Sequence, residues 1–290
     1  MEPLPDEFDA TFYRDLHVDL AYLNESELRA HYYSFGRQEG RASSAPSLKE
    51  NFLKLVPRDR PVLEVGPFTT PAIEGDNVRY FEVLDRDALI RRAQIFGLPD
   101  DNVPEIHYMD PNGDLSAVPD KFSAVVSSHC IEHQPDLVHH LQQVSALLEP
   151  GGYYFLVIPD KRYCFDHFLA ESTIAKVVAA HRAGQRTHRL ESVLEHRALT
   201  THNDPVRHWA GDHADENYWQ SIAVRVLAAM TEFDNARGSY VDVHAWQFTP
   251  NSFKRIITCL ADIGLGRFLP ERVYATPNPR LEFTAVLRRI

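Results

Sequence analysis

The sequence predicts an α/β protein: a Rossmann-like, seven-stranded, mostly parallel sheet with helices on both faces. Three observations predict it. From residue 48 onward, short β-branched and aromatic runs alternate with helical stripes, the pattern of parallel strands joined by crossover helices. One run, Tyr153 to Ile158, is apolar throughout, as a strand covered on both faces must be. Polar residues stand where the strands end, at Glu64, Gly66, Asp85, Asp110 and Ser127 to His129, and open α/β sheets bind ligands outside the carboxyl ends of their strands.

The elements follow in order. Residues 1–45 read as a small N-terminal helical module. Asp9 can cap a helix carrying Phe12, Tyr13 and Leu16, and Asn24-Glu-Ser-Glu27 has the form of a capping box. Leu28, Tyr32 and Phe35 then fall at helical spacing, and Gly36 supplies a stop. Ala42 to Ser47 is small, polar and interrupted by Pro46, which suits a linker. The main domain spans 46–290. It opens with a short helix over Leu48 to Val56, a strand over Pro61 to Val65 that stops at Gly66, and a strand over Val78 to Leu84 that stops at Asp85. A helix over Ala88 to Phe96 and a short strand around Ile106, ending at Asp110, come next. Phe122 to Val126 is the fourth strand. Leu137, Val138, Leu141, Val144, Leu147 and Leu148 form an apolar stripe of 3.6 period, stopped by Pro150-Gly-Gly152 before the fifth strand. Residues 161–243 break the alternation as a polar, helical insertion. The pattern resumes with Thr249 as N-cap and Pro250 at the first helical position. Phe253, Ile256, Ile257, Leu260 and Ile263 make the buried face, and Gly264 ends it. Arg267 to Ala275 and Leu281 to Leu287 close the sheet as a hairpin.

Composition removes several function classes. Hydrophobic residues make up 44% of the 290, enough for a substantial core, and the net charge of −11 comes without a basic patch, so phosphate backbones are repelled rather than attracted. The acidic N-terminus has no apolar signal region, and the six-residue run at Tyr153 is far short of the ~20 residues that cross a bilayer. Three scattered cysteines without C-x-x-C spacing suit a reduced, cytoplasmic setting. Histidine is abundant: there are fifteen, eight of them between positions 160 and 244.

Gly66 lets a ligand approach the backbone closely. Asp85, 19 residues on, has the spacing of a carboxylate that reads ribose hydroxyls. Neither G-x-G-x-x-G nor a P-loop follows the first strand; Pro67 to Pro71 stand there instead. A dinucleotide or nucleoside triphosphate is therefore disfavoured, and a nucleoside ligand without phosphates fits better.

Taken together, Val62-Leu-Glu-Val-Gly-Pro67, Asp85, Asp110, Phe122 to His133 and Pro150-Gly-Gly152 resemble the class I S-adenosylmethionine-dependent methyltransferases, in a subgroup with Gly-Pro after the first strand. The similarity covers about 48–160 and 245–290. The resemblance implies S-adenosylmethionine as cofactor, with Glu64, Gly66 and Pro67 beginning its loop. It implies that Asp85 binds the ribose, that Asp110 lies beside the adenine, and that Ser127, Ser128 and His129 line the floor. Phe8 to Arg14 with His31 to Arg41 resembles a helical module attached to bacterial glycan-modifying enzymes. It points to O-methylation of a sugar, glycan intermediate or other small-molecule acceptor. A hydroxyl acceptor needs a base, for which Asp160, His167 and His244 are the candidates. The insertion should cover the acceptor. Two other readings stay open. His129, Asp160, His167 and His244 could converge on a metal, although no metal site is predicted, and the chain could bind S-adenosylmethionine without catalysis. His129 and His133, spaced H-x-x-x-H, start in a strand-end loop.

Overall fold

A computed structural model describes residues 3–290. The N-terminal part carries α1 (Ala10–Leu16), capped by the Asp9 carboxylate, and α2 (Glu25–His31), whose Asn24–Glu27 capping box is formed. Phe8, Tyr13, Leu20, Leu28 and Tyr32 bury one another between them. Phe35 lies on a wide turn after α2 and is exposed. The expected linker is instead packed: Ser43, Ser44, Pro46 and Ser47 are buried, and Thr284 donates to the Pro46 carbonyl at 2.7 Å.

The main domain runs α3 (Lys49–Phe52), β1 (Val62–Val65), β2 (Val78–Glu82), α4 (Arg86–Phe96), β3 (Tyr108–Met109), β4 (Phe122–Ser128), α5 (Leu137–Leu147) and β5 (Leu148–Pro159). Then come α6 (Ile174–Arg182), α7 (Leu190–Ala198), α8 (Pro205–Trp209) and α9 (Tyr218–Ala236). The chain closes with α10 (Pro250–Asp262), β6 (Phe268–Tyr274) and β7 (Glu282–Arg289). The sheet order is β3-β2-β1-β4-β5-β7-β6. The first five strands are parallel and β7 is antiparallel to both its neighbours, as the expected fold class requires.

Side-chain alternation divides the core between the two faces. Leu63, Val65, Val125, Tyr154, Leu156 and Ile158 pack with α5, α6 and α10 on one face. Val62, Ala124, Val126, Phe155 and Val157 pack with Phe52 and Tyr274 on the other. In α10 the Thr249–Ser252 capping box, Pro250 and buried Phe253, Ile256, Ile257 and Leu260 match the sequence pattern, while Ile263 caps the helix and is exposed. The chain order reverses between β1 and β4, so their carboxyl ends flank the crevice where such sheets take ligands. Among the described residues no helix is long and apolar enough to cross a membrane.

Candidate active site at the carboxyl ends of the strands

Two buried carboxylates build the loop after β1. Glu64, in β1, accepts from the amides of Ala72 and Ile73 at 2.7 and 3.1 Å. Glu82, the last residue of β2, accepts from the amides of Phe68 and Val83 at 3.0 and 2.8 Å. Side-chain anchors thus shape residues 66–73, a task that glycines perform in other loops. Burial raises both carboxyls, Glu64 to about 7, against the lowering effect of the amide hydrogen bonds. Gly66 has φ of +73°, and a Cβ there would lie 3.3 Å from Cys130 Sγ across the crevice. Pro67 is buried behind it.

Several expected cofactor residues sit elsewhere than the spacing suggested. Strand β2 stops at Glu82, so Asp85 is not a strand end; it is exposed and caps α4 by accepting from the Ala88 amide at 2.7 Å. Glu82 is the carboxylate at the end of β2. The 19-residue spacing pointed past it because Val83 and Leu84 read as strand. Asp110 does lie beside Glu82, its amide donating to the Glu82 carbonyl at 3.2 Å, and its side chain accepts from the amides of Asn112 and Asp114. Ser127 turns into the core, where it shares a hydrogen bond with Tyr154 at 2.8 Å, and Tyr154 shares one with His140 at 3.0 Å. Ser128 accepts from Lys49 Nζ at 3.1 Å. His129 holds φ of +52° beyond β4 and keeps 37% of its side chain exposed. Burial of the ring and the Lys49 charge push its pKa down to about 3.

Next to His129 lies a cluster of histidines and carboxylates. Glu132 and His133 occupy a one-turn 3₁₀ helix after β4. The return segment from the insertion is laid over this turn. The amides of Ala245 and Trp246 donate to the Glu132 carbonyl at 2.7 and 3.2 Å, and the Trp246 indole donates to the Gln134 carbonyl at 2.6 Å. This brings His244 in. Its Nδ1 donates to Asp166 at 2.6 Å and its Nε2 stands 3.9 Å from Glu132 Oε1. His133 mirrors it, with Nδ1 3.0 Å from Asp242 and Nε2 4.0 Å from the same Glu132 oxygen. Arg92 completes the Asp242 side at 2.8 Å. His196 accepts from the His244 amide at 3.1 Å. The Glu132 side chain is fully buried, and neither of its oxygens has a hydrogen-bond partner.

The electrostatics follow from this packing. Burial pushes the Glu132 carboxyl up. For His244, burial opposes the charge, but the Asp166, Glu132 and Asp242 carboxylates outweigh it and raise its pKa. Asp242 is held well below the usual carboxylate range by the His133 ring beside it, with Arg92 adding to the effect.

The remaining base candidates are not brought to this point. Asp160 is saturated. It accepts from the Arg162 amide and Nε on one oxygen, and from Arg162 Nη2 and Thr276 Oγ1 on the other, which uses its roughly four lone-pair positions. The partner of His244 is Asp166, not Asp160. His167 belongs to a separate stack with His208 and His213. The foursome His129, Asp160, His167 and His244 therefore does not converge. Sequence reasoning missed Asp166 and His196 as cluster members; both lie in the insertion, where no periodic pattern fixes a residue's neighbours. A groove of about 490 Å³ lined by Gln142, Leu265, Arg267 and Arg289 lies at the opposite ends of the strands.

A family model described as a methyltransferase domain matches residues 38–222, more than half of the chain. Comparison with curated proteins finds no match. Among solved structures, the chain is similar to the CcbJ methyltransferase from Streptomyces caelestis at 20% identity over 47% of this chain and 56% of that one, with a TM-score of 0.29. It is similar to the glycopeptide N-methyltransferase MtfA, complexed with S-adenosyl-L-methionine, at 22% over 40% and 55%, with a TM-score of 0.30. A protein described as an S-adenosylmethionine dependent methyltransferase from Listeria monocytogenes shares 13% over 83% and 98%, with a TM-score of 0.42. The chain spans little more than half the length of the first two. On the family match, this chain belongs to the methyltransferase-domain family.

Proposed function

We propose that the chain moves the methyl group of S-adenosylmethionine to a hydroxyl of a sugar, glycan intermediate or other small-molecule acceptor. The observation that carries the reading is the crevice between β1 and β4, with the Glu64- and Glu82-anchored loop on one side and the Glu132–His133–His244 cluster on the other. Gly66 admits the cofactor close to the backbone. Glu82 keeps a free lone pair on each oxygen for the two ribose hydroxyls, which makes it the ribose carboxylate in place of Asp85. Glu64 and Pro67 shape the loop, and Asp110, Ser128 and His129 rim the crevice.

The transfer is an in-line displacement. The sulfur–methyl bond breaks as the acceptor oxygen–carbon bond forms, S-adenosylhomocysteine leaves, and the hydroxyl proton departs. Much of the rate comes from holding donor and acceptor in line. The proton is removed at the buried cluster, with His244 its essential residue. Asp166 accepts the hydrogen bond from Nδ1–H, fixes the ring and leaves the lone pair on Nε2, the nitrogen 3.9 Å from Glu132. The helical segment 161–243 contributes Asp166, His196 and Asp242 to this centre, which supports its role as the acceptor cover. The hydroxyl acceptor rests on the N-terminal module's resemblance and on the presence of a proton-accepting centre.

His244→Ala is expected to lower turnover ~10²–10⁴-fold while leaving S-adenosylmethionine affinity within about twofold by calorimetry. Full turnover in the variant would sink the assignment of proton removal to this cluster. Absence of cofactor binding by the native chain would sink the methyltransferase reading itself.

A further inference from the structure

We propose that Glu132, His133 and His244 form a binding site for one divalent transition-metal ion. The proposal rests on the assignment of this cluster to acceptor activation only for the ion's role; the site itself stands on geometry. Three observations carry it. First, Glu132 is an unpartnered, fully buried carboxylate. A buried charge left without hydrogen bonds is costly unless it is paired or coordinates a metal. Second, the two imidazoles bring their Nε2 atoms to the same Glu132 oxygen, at 4.0 and 3.9 Å, and the ring planes cross at 86°. The ligating atoms of the three residues all lie within 4.8 Å of one another. A triangle with ~4 Å edges has its centre ~2.3 Å from each corner, against the ~2.0–2.2 Å of metal–imidazole and metal–carboxylate bonds. A contraction of a few tenths of an ångström closes the site. Third, each candidate ligand histidine has a carboxylate near its other ring nitrogen: Asp166 is hydrogen-bonded to His244 Nδ1 at 2.6 Å, and Asp242 stands 3.0 Å from His133 Nδ1 without the geometry of a hydrogen bond. Such outer partners fix the tautomer and aim the lone pair of a metal-binding histidine.

The other histidine groups fail the same test. His167, His208 and His213 also lie close together, but their rings are nearly parallel, at 12°, 17° and 23° to one another. A metal must lie in the plane of every ring that binds it, which stacked rings do not allow. In the group Asp166, His196 and His244, His196 Nδ1 already accepts from the His244 amide and Asp166 Oδ2 already bonds His244 Nδ1, so Asp166 Oδ1 is the carboxylate oxygen left without a partner there.

An N₂O donor set of imidazole and carboxylate suits zinc, iron, cobalt or manganese rather than magnesium or calcium. Three protein ligands leave coordination positions open. His129, with 37% of its side chain exposed, stands at the end of β4 with Nδ1 3.8 Å from the Glu132 oxygen. An acceptor hydroxyl arriving from the crevice would bind there through its oxygen and lose its proton more easily. The ion changes no oxidation state in this role.

The test is titration of chelator-treated full-length protein with Co²⁺, read by its visible d–d absorption, together with elemental analysis of the protein as purified without a metal-affinity tag. One ion per chain is expected. Glu132→Gln should weaken cobalt binding at least ~100-fold, and Asp242→Asn, which leaves all three ligands in place, ~10–100-fold. His213→Ala, in the stacked group, should leave it unchanged. No cobalt spectrum in the native chain, or equal binding by the native, Glu132→Gln and Asp242→Asn proteins, overturns the site. S-adenosylmethionine binding measured in parallel keeps the two readings apart: cobalt binding without cofactor binding leaves the metal site and removes the methyltransferase reading. Full turnover by metal-free protein, with no cobalt bound, does the reverse.

Discussion

The difference between Glu82 and Asp85 shows how much a strand end decides. Both are acidic and three positions apart, but only Glu82 ends a strand, β2 beside β1, whereas Asp85 faces solvent as a helix cap. Their substitutions should therefore separate. Glu82→Gln, which keeps a carbonyl acceptor for one loop amide, should weaken S-adenosylmethionine by ~30–150-fold, the loss of ~2–3 kcal/mol of charge-assisted hydrogen bonding. Asp85→Ala should cost ~1 kcal/mol of stability through the lost cap and little affinity. Calorimetric titration and thermal unfolding of both variants check this; a large affinity loss confined to Asp85→Ala would return the ribose contact to that residue. The same residue-level logic removes Asp160. Its saturation by Thr276, 116 residues away, cannot be seen in sequence, whereas the Glu132–His133 pair was visible as adjacent letters without its partners.

Secondary structure was legible wherever one signal repeated. The α5 stripe, the alternating core strands and the capped start of α10 follow from hydrophobic period and cap chemistry, and the structure places them as expected. What the pattern could not supply was the neighbours of the insertion helices. Val193 of α7 and Ala229 of α9 pack with Val241 and Val243 of the return segment, a small cluster whose members no single period connects. One cap ties the two regions together. Thr249 accepts from the Ser252 amide at the start of α10 and donates to Glu171, just before α6, at 2.5 Å. Thr249→Ala should destabilise the protein by about 1–2 kcal/mol, whereas Thr249→Ser should recover most of that. Equal unfolding midpoints for the native and Thr249→Ala proteins would show that neither bond contributes.

Across the whole molecule, the histidine content becomes a statement about pH. His140, His188 and His208 are buried, and burial pushes their pKa values down to about 3, 4 and 4. They remain neutral in the fold but take up protons in the unfolded chain below its pKa of ~6.5. The stability they confer is thus present above pH 6.5 and lost as the pH falls toward 4, each group contributing up to ~1.4 kcal/mol per pH unit in that window. Glu64, raised by burial to about 7, has the opposite sign. Its contribution is full below its unfolded pKa of ~4.5 and is lost as pH rises through 7. Glu64→Gln should therefore steepen the acid-side loss. Unfolding midpoints at pH 6.5 and 4.5 measure it, and parallel curves for the native and variant proteins would contradict it.

The order of the sheet also bears on how the chain can be made. Strand β7 follows β6 in sequence, yet it lies between β5 and β6 and pairs with both. A ribosome delivers Tyr153 to Pro159 more than a hundred residues before the partner that covers that edge. Until residues 282–289 emerge, β5 presents a row of unmatched amides and carbonyls, the kind of edge on which other chains can template. The five parallel strands are thus synthesised early but sealed last, and the nascent polypeptide depends on whatever shields that edge during translation.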